Sequence, residues 1–383
     1  MSTLRILADQ NMRSVAEYFA AMGAVSLIDG RKLVANDLSG VDVLLIRSVT
    51  KVNARLLAGS QIKFVGTATS GFDHIDTEYL THNRIGFSHA PGSNANSVVE
   101  YVLAAISQTG DKLEQLLAGS PLGIIGYGNI GRALTLRCAA LGISVRVYDP
   151  WLDINRLQNP ATLSEVLSCE VVSIHAELTH NKPWQSYHLL AASHLAALGR
   201  ETLLINAGRG EIIDSDALLK LHKRGSGPTT VLDVWEGEPA ISSELLDSVT
   251  IGTPHIAGYS LDGKILATRM LRDAVAQYLK IDNKCEQELE APADTLIVPS
   301  KLRSADLIRW AVNARYNIFE DDTALRSKTN ASDGAAAADG FDELRKSYRA
   351  RRELSGSTVS IQYGEQAQKD HLEALGCNIV MAD

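Results

Sequence analysis

The chain has 383 residues, 45% hydrophobic and 21% charged, a balance ordinary for a globular protein and a length sufficient for two or three domains with sizeable cores. Its formal net charge of −8 is spread along the chain, which argues against nucleic acid and anionic membranes as partners. An anionic small molecule would have to meet a local basic pocket.

The four cysteines, Cys138, Cys169, Cys285 and Cys377, are scattered without metal-ligand spacing and read as buried thiols in a reducing compartment, so no metal site is expected. The opening Leu4-Arg5-Ile6-Leu7-Ala8 reads as a first strand and lacks the long apolar run of a signal peptide. Nothing later is long enough to span a bilayer, and the expected location is cytoplasmic.

Residues 3–90 alternate short apolar runs with helical patterns: Leu4–Ala8, a helix over Ser14–Ala21, then Val25–Ile28, Val43–Arg47, Phe64–Thr67 and Ile85–Ser88. This predicts a compact α/β unit. Pro91-Gly92-Ser93-Asn94 breaks the pattern and suggests a hinge at 91–95, after which a helix is expected from about Asn96 to Leu117, its small and apolar face suited to packing.

The stretch Leu122 to Pro150 carries the most specific local signal. An apolar run fit for a buried strand breaks at Gly126, Gly128 and Gly131. Helical spacing follows through Ile130, Ala133, Leu134 and Leu141, and a second strand ends at Asp149. Each part has a physical job if a dinucleotide lies here. Gly126 permits the tight turn, Gly128 leaves room for the pyrophosphate, Gly131 lets helix and strand approach, and the helix N-terminus offers free N–H groups to phosphate. Asp149 can accept from the adenosine ribose hydroxyls and would repel a 2′-phosphate, so NAD is preferred over NADP.

Further strands are predicted at Val171–His175, Thr202–Ala207, Val231–Trp235 and Val249–Gly252, giving a doubly wound parallel sheet whose ligands sit beyond the carboxyl ends of its strands. A long helix from Leu261 to Leu279 is expected to return to the first unit. An acidic, proline-containing linker is expected at 283–300, a mobile Ala/Asp/Gly stretch at 331–340, a basic helix over Phe341–Leu354, and a strand-helix-strand pattern ending at Cys377–Met381.

Three polar clusters lie at strand ends: Asn206-Ala207-Gly208-Arg209-Gly210, Leu232 through Pro239, and Thr253-Pro254-His255-Ile256-Ala257-Gly258. An arginine on a tight glycine turn suits a bidentate grip on a carboxylate, and a histidine with a carboxylate in reach suits proton transfer near neutral pH. Taken in this order after a dinucleotide fingerprint, these clusters resemble the D-isomer-specific 2-hydroxyacid dehydrogenase family. The words Ile46 through Asn53, Phe64 through His74 and Gly252 through Tyr259, with the C-terminal Phe341–Lys346, Tyr348 and Arg351-Arg352-Glu353, extend the similarity along most of the chain.

The resemblance implies an α/β fold: a doubly wound Rossmann NAD domain (96–259) inserted in a smaller flavodoxin-like substrate domain (1–95 and 260–285), followed by an α+β C-terminal dimerisation domain (286–383). It implies that Arg209, Glu238 and His255 carry catalysis. Cofactor contacts are expected from Gly126, Gly128, Asn129, Ile130, Gly131, Asp149, His175, Ala176, Ala207, Gly208, Arg209, Asp233, His255 and Gly258, and substrate contacts from Arg47, Ser48, Thr69, Arg209, His255 and Tyr259. The implied partners are a small phosphorylated 2-hydroxy acid and a second copy of the chain. Lys51 is expected in solvent. For Arg345 and Arg349 two readings stay open, a salt-bridged face or a phosphate contact. A non-catalytic NAD-sensing scaffold and a family member acting on a different phosphorylated acid are the rival functions.

Overall fold

The computed structural model describes residues 4–281, 294–299, 301–330, 334–362 and 366–382. Chain contacts divide it into two compact units, Met1–Asn94 with Ser260–Pro292, and Ala95–Tyr259 with Ala293–Asp383. Among the described residues, no helix is long and apolar enough to cross a membrane.

The first unit contains β1 (Leu4–Asp9), β2 (Gly23–Ile28), β3 (Val43–Ile46), β4 (Phe64–Thr67) and β5 (Gly86–His89). They form one parallel sheet in the order β2-β1-β3-β4-β5, the flavodoxin-like arrangement. Every residue of β3 and β4 is buried, as an unbroken apolar run requires when helices cover both sheet faces. The helix Leu261–Leu279 starts at Ser260, whose Oγ accepts from the Gly263 N–H at 2.9 Å, and its Leu271 and Val275 share a core with Leu45 and Phe64. Gly66 is small because a Cβ there would press on Leu45 and Leu271 at 3.0–3.2 Å.

The second unit holds β6 (Leu122–Ile125), β7 (Val145–Tyr148), β8 (Val171–Ile174), β9 (Leu203–Asn206), β10 (Thr229–Leu232) and β11 (Ile251–Gly252). All are parallel, in the order β11-β10-β9-β8-β6-β7. Tyr148, Ile125, Ile174, Asn206, Leu232 and Gly252 lie in one register row. The residue after each therefore leaves the sheet at the same edge.

The expected single helix from Asn96 to Leu117 is two, Ala95–Ser107 and Lys112–Leu117. Thr109 bonds back to the Ala105 carbonyl at 2.7 Å, and Gly110 takes φ +53°, ending the first helix. The linker expected at 283–300 lies largely outside the described residues, as does Cys285; its described part includes β12 (Leu296–Ile297). The part of the expected mobile stretch from Gly334 onward is helical, in Gly334–Lys346, and the basic helix stops at Lys346 instead of reaching Leu354.

The C-terminal segment adds the helices Ser304–Arg315, Ile318–Asn330 and Gln366–Ala374, with β13 (Thr358–Gln362) and β14 (Asn378–Ala382). β12, β13 and β14 form a parallel three-stranded sheet. The segment does not stand apart: it belongs to the same compact unit as Ala95–Tyr259. Val98, Val102 and Leu116 pack in one apolar cluster with Leu307, Ile308 and Val359. Polar clamps cross it as well. Buried Glu100 accepts from the N–H groups of Leu354 and Ser355 at 2.9 and 2.8 Å, and buried Arg351 donates to the Ala257 carbonyl at 2.7 Å and to Ser97. These partners are far apart in sequence.

Candidate active site

At the switch in strand order between β6 and β8, the glycine turn has the shape a dinucleotide needs. Gly126 has φ +94°, and a Cβ on it would lie 2.5 Å from the Ala176 nitrogen. A Cβ on Gly131 would meet the Gly126 oxygen at 2.1 Å, whereas one at Gly128 would meet nothing within 4 Å. The first and third glycines are thus demanded by the protein's own packing. The second faces open space, room the fold leaves for a ligand. The helix Asn129–Ala140 begins at Gly128 with no side-chain cap, so its first N–H groups stay available to phosphate. Asn129 and Ile130 open that helix.

Asp149 follows β7 directly, with Oδ2 accepting from the Tyr127 N–H at 2.8 Å and Oδ1 from the Trp151 N–H at 3.1 Å. Its carboxylate is held against the fingerprint turn, with further acceptor lone pairs for ribose hydroxyls. His175 and Ala176 follow β8. The His175 ring is buried, Nε2 lies 2.9 Å from Ser173 Oγ, and Nδ1 has no hydrogen-bond partner among the described residues. Burial pushes its pKa down to about 3, so the ring is neutral. Gly208 lies against this loop, where its Cβ would be 3.2 Å from the Ala176 carbonyl. The chain fits a dinucleotide along this edge.

The three residues expected to carry catalysis leave the same edge after the adjoining strands β9, β10 and β11, two, three and four strand spacings from β6, or about 10, 14 and 19 Å. Asn206 ends β9 and orders the next loop: its Oδ1 accepts from the Gly208 N–H at 3.1 Å and its Nδ2 donates to the Arg209 carbonyl at 3.0 Å. Arg209 Nη1 donates to the Gly208 carbonyl at 2.8 Å. Gly210 then packs on the next loop so closely that a Cβ would lie 2.0 Å from the Trp235 carbonyl carbon. That contact ties the arginine turn to the segment bearing Glu238.

Glu238 Oε2 lies 2.8 Å from His255 Nδ1, and Glu238 Oε1 accepts from the Trp235 N–H at 2.8 Å. A carboxylate only accepts, so Nδ1 carries the hydrogen and Nε2 is left as the basic nitrogen. Burial pushes the Glu238 carboxyl up, but the charge and hydrogen bond of His255, with the Trp235 N–H, outweigh it and hold the group below its usual range. The neighbouring acid is otherwise engaged: Glu236 pairs with His188 at 2.9 Å and accepts from the Ser215 N–H. Geometry thus separates two glutamates that sequence spacing alone does not.

His255 has φ +55°, an uncommon backbone state for a non-glycine residue. Its N–H donates to the Asp233 carbonyl at 2.7 Å. The Asp233 carboxylate, 2% exposed, accepts from Thr253 Oγ1, Ile256 N–H and Ala257 N–H at 2.6–2.9 Å. Asp233, expected beside the cofactor, is a clamp on the histidine turn. Burial raises its pKa despite His255 and these donors. The clamp extends through Thr253 to the Tyr101 hydroxyl at 2.8 Å. Tyr101 and Arg351 are not legible as site residues: Tyr101 lies in an apolar helix face, and the side-chain hydrogen-bond partners of Arg351, Ser97 and Ala257, are more than ninety residues away. Thr253 carried a weak signal, a hydroxyl between a strand end and Pro254-His255.

Gly258 and Tyr259 complete the turn, Tyr259 N–H donating to the Ile256 carbonyl at 2.8 Å. In the first unit, Arg47 and Ser48 follow β3 and Thr69 follows the adjoining β4. Arg47 is ion-paired with buried Asp9 at 3.1 Å, and Thr69 Oγ1 is bonded to Thr67 Oγ1 and the Gly71 carbonyl, both at 2.8 Å. Ser48 and Lys51 are exposed. Among the described residues, no group of three or more His, Cys, Asp or Glu side chains could hold a metal ion.

Residues 98–257 match the model of the D-isomer specific 2-hydroxyacid dehydrogenase NAD binding domain, and residues 290–376 match a second model described only as a domain of unknown function. The chain is 40% identical over 379 residues to an erythronate-4-phosphate dehydrogenase of Marinobacter nauticus, an alignment covering 97% of this chain and 98% of that one. It is also 40% identical over 386 residues to one from Cellvibrio japonicus, covering 98% of this chain and all of the other. In fold it is similar to an NAD+-bound 3-phosphoglycerate dehydrogenase from Entamoeba histolytica, with a TM-score of 0.60 at 21% identity, over 73% of this chain and 96% of that one. The chain belongs to the D-isomer specific 2-hydroxyacid dehydrogenase family, within its group of erythronate-4-phosphate dehydrogenases.

Proposed function

We propose that this chain oxidises 4-phospho-D-erythronate at C2 to 2-oxo-3-hydroxy-4-phosphobutanoate, using NAD, as a step toward pyridoxal 5′-phosphate. The observation that carries the reading is the 2.8 Å bond between Glu238 and His255 Nδ1, at the same sheet edge as a dinucleotide turn and an arginine loop. The names and full-length coverage of the relatives supply the substrate.

NAD, when bound, supplies the acceptor for the C2 hydride. Gly126, Gly128 and Gly131, with the uncapped helix start at Asn129 and Ile130, would hold its pyrophosphate, and Asp149 its adenosine ribose. His255 Nε2 takes the C2 hydroxyl proton in oxidation and returns it in the reverse direction. Glu238 keeps the other ring nitrogen protonated and stabilises the imidazolium as it forms, the orienting role of a carboxylate behind a catalytic histidine. Arg209 holds the substrate carboxylate in its guanidinium fork and draws electron density from the developing C2 carbonyl. Asp233 serves indirectly, by keeping the 255–257 backbone in the conformation that presents the imidazole.

The site belongs to a cytoplasmic enzyme in this reading, in keeping with Cys138, Cys169 and Cys377 as buried free thiols. The histidine assignment is tested by His255→Ala. Turnover should fall on the order of 10²–10⁴-fold, while the variant still quenches on titration with NADH. Near-wild-type turnover in a folded, cofactor-binding variant sinks the assignment.

A further inference from the structure

The C-terminal segment matches a model of unknown function, yet it reaches the candidate site. Three arginines of its basic stretch have distinct environments. Arg349 is bound to Asp321 at 2.5 Å and Glu320 at 3.4 Å and stays 42% exposed. Arg351 is 3% exposed, lies 4.2 Å over the Tyr316 ring and is held by Ser97 and Ala257. Both hold the fold, although Arg351 Nε and Nη1 are themselves buried without a hydrogen-bond partner among the described residues, remote from the histidine side chain.

Arg345 differs. It sits in the last turn of the helix Gly334–Lys346, and its ion pair with Asp342 is long, at 3.9 Å. Its Nε is buried and has no hydrogen-bond partner among the described residues. Its guanidinium lies 5.8 Å from the centre of the Tyr259 ring, the residue that closes the histidine turn, and 6.0 Å from that of Phe341. We infer that Arg345, together with the Tyr259 hydroxyl, recognises the phosphate group of the substrate.

The inference rests on the proposed function and deepens it. A phosphorylated 2-hydroxy acid brings two anions, a carboxylate and a phosphate near −2. Arg209 answers the first, and its planar fork is filled by one carboxylate. The Glu238 charge is already answered by His255 and the Trp235 N–H, and Asp342 lies 3.9 Å from the Arg345 guanidinium, so that guanidinium keeps charge for an arriving anion. Burial works against the charge of Arg345, but Tyr259 and Glu238, with a side-chain hydrogen bond to Tyr259, outweigh it, so the side chain stays cationic in a largely desolvated place where a charged hydrogen bond is strong. The solved phosphoglycerate dehydrogenase aligns with 73% of this chain; the inference gives the C-terminal segment a specificity role in addition to a structural one.

The test compares wild type, Arg345→Gln and Arg345→Lys for kcat/KM with 4-phosphoerythronate, for inhibition by inorganic phosphate and for inhibition by unphosphorylated erythronate. Loss of a charged hydrogen bond predicts a fall in kcat/KM of roughly 10–150-fold in the glutamine variant. Phosphate inhibition should weaken by a similar factor, erythronate inhibition should weaken at least tenfold less, and the lysine variant should recover part of the loss. Equal weakening of phosphate and erythronate, or no weakening of phosphate, overturns the role of Arg345 while leaving the proposed function intact if wild type turns over 4-phosphoerythronate. Wild type inert toward that substrate overturns both. Should the glutamine variant fail to fold, Arg345→Lys decides: phosphate inhibition weakened more than erythronate inhibition supports the role, because lysine lacks the guanidinium fork, and the two weakened alike, or neither weakened, contradicts it.

Discussion

His255 shows how much of a candidate active residue is backbone. Its positive φ is held by its own N–H on the Asp233 carbonyl and by the Asp233 carboxylate on the next two N–H groups, so the imbalance between an uncommon dihedral and several short hydrogen bonds favours the bonds. The side chain is then aimed by Glu238. The arginine loop and the histidine stand out by residue type and order, whereas the choice of Glu238 as their acid comes with the family resemblance. The clamp was not, because an aspartate after a strand has the same appearance whether it faces a ligand or its own turn. Glu238→Gln tests the orienting role: an amide removes the fixed acceptor charge and permits the wrong ring tautomer, so kcat should drop on the order of 10²–10⁴-fold with substrate KM changed far less. Steady-state kinetics with saturating NAD check this, and a pure KM effect contradicts it.

Among the elements, the buried parallel strands were the easiest to read, since Val43-Leu44-Leu45-Ile46 and Leu203-Leu204-Ile205 leave no polar face to place in water. Errors fell where a local signal was outweighed. Gly110 is a helix stop, but Leu113, Leu116 and Leu117 continue the apolar rhythm beyond it. The alanines of 335–338 suggested mobility through lack of anchors, yet alanine is the best helix former, and Lys328 to Glu343 at 2.7 Å joins that helix to its neighbour. Beyond Lys346 the chain leaves helical form where Arg349 and Arg351 find partners distant in sequence. The end of β8 carries a measurable consequence. His175 is neutral when folded, with a value near 3 against 6.5 when unfolded. Above pH 6.5 it contributes nothing to pH dependence. Between these values the unfolded chain binds a proton the folded chain refuses, so stability falls as pH falls, by about 2 kcal/mol at pH 5. Urea unfolding at pH 7 and pH 5 should show this drop in wild type and a smaller one in His175→Gln; equal drops contradict it.

At the scale of the whole molecule, the C-terminal segment joins the NAD-binding sheet's compact unit through a shared apolar cluster and buried Glu100 and Arg351, so its removal should expose core and not merely trim a tail. Its own small sheet leaves Ile297 at 78%, Val380 at 44% and Met381 at 49% exposed, apolar surface on edge strands that suits a second copy of the chain. If the chain dimerises there, light scattering should give twice the chain mass for wild type and a shift toward monomer for Val380→Lys with Met381→Lys. An unchanged dimer would place the contact elsewhere. The central claim, a nicotinamide-linked oxidation of one phosphorylated 2-hydroxy acid, is most directly tested by following absorbance at 340 nm when the intact chain and NAD meet a panel of such acids. The account predicts NADH formation that is fastest per unit concentration with 4-phospho-D-erythronate. Faster turnover of 3-phosphoglycerate or D-lactate, or no NADH with any acid despite cofactor binding, would contradict it.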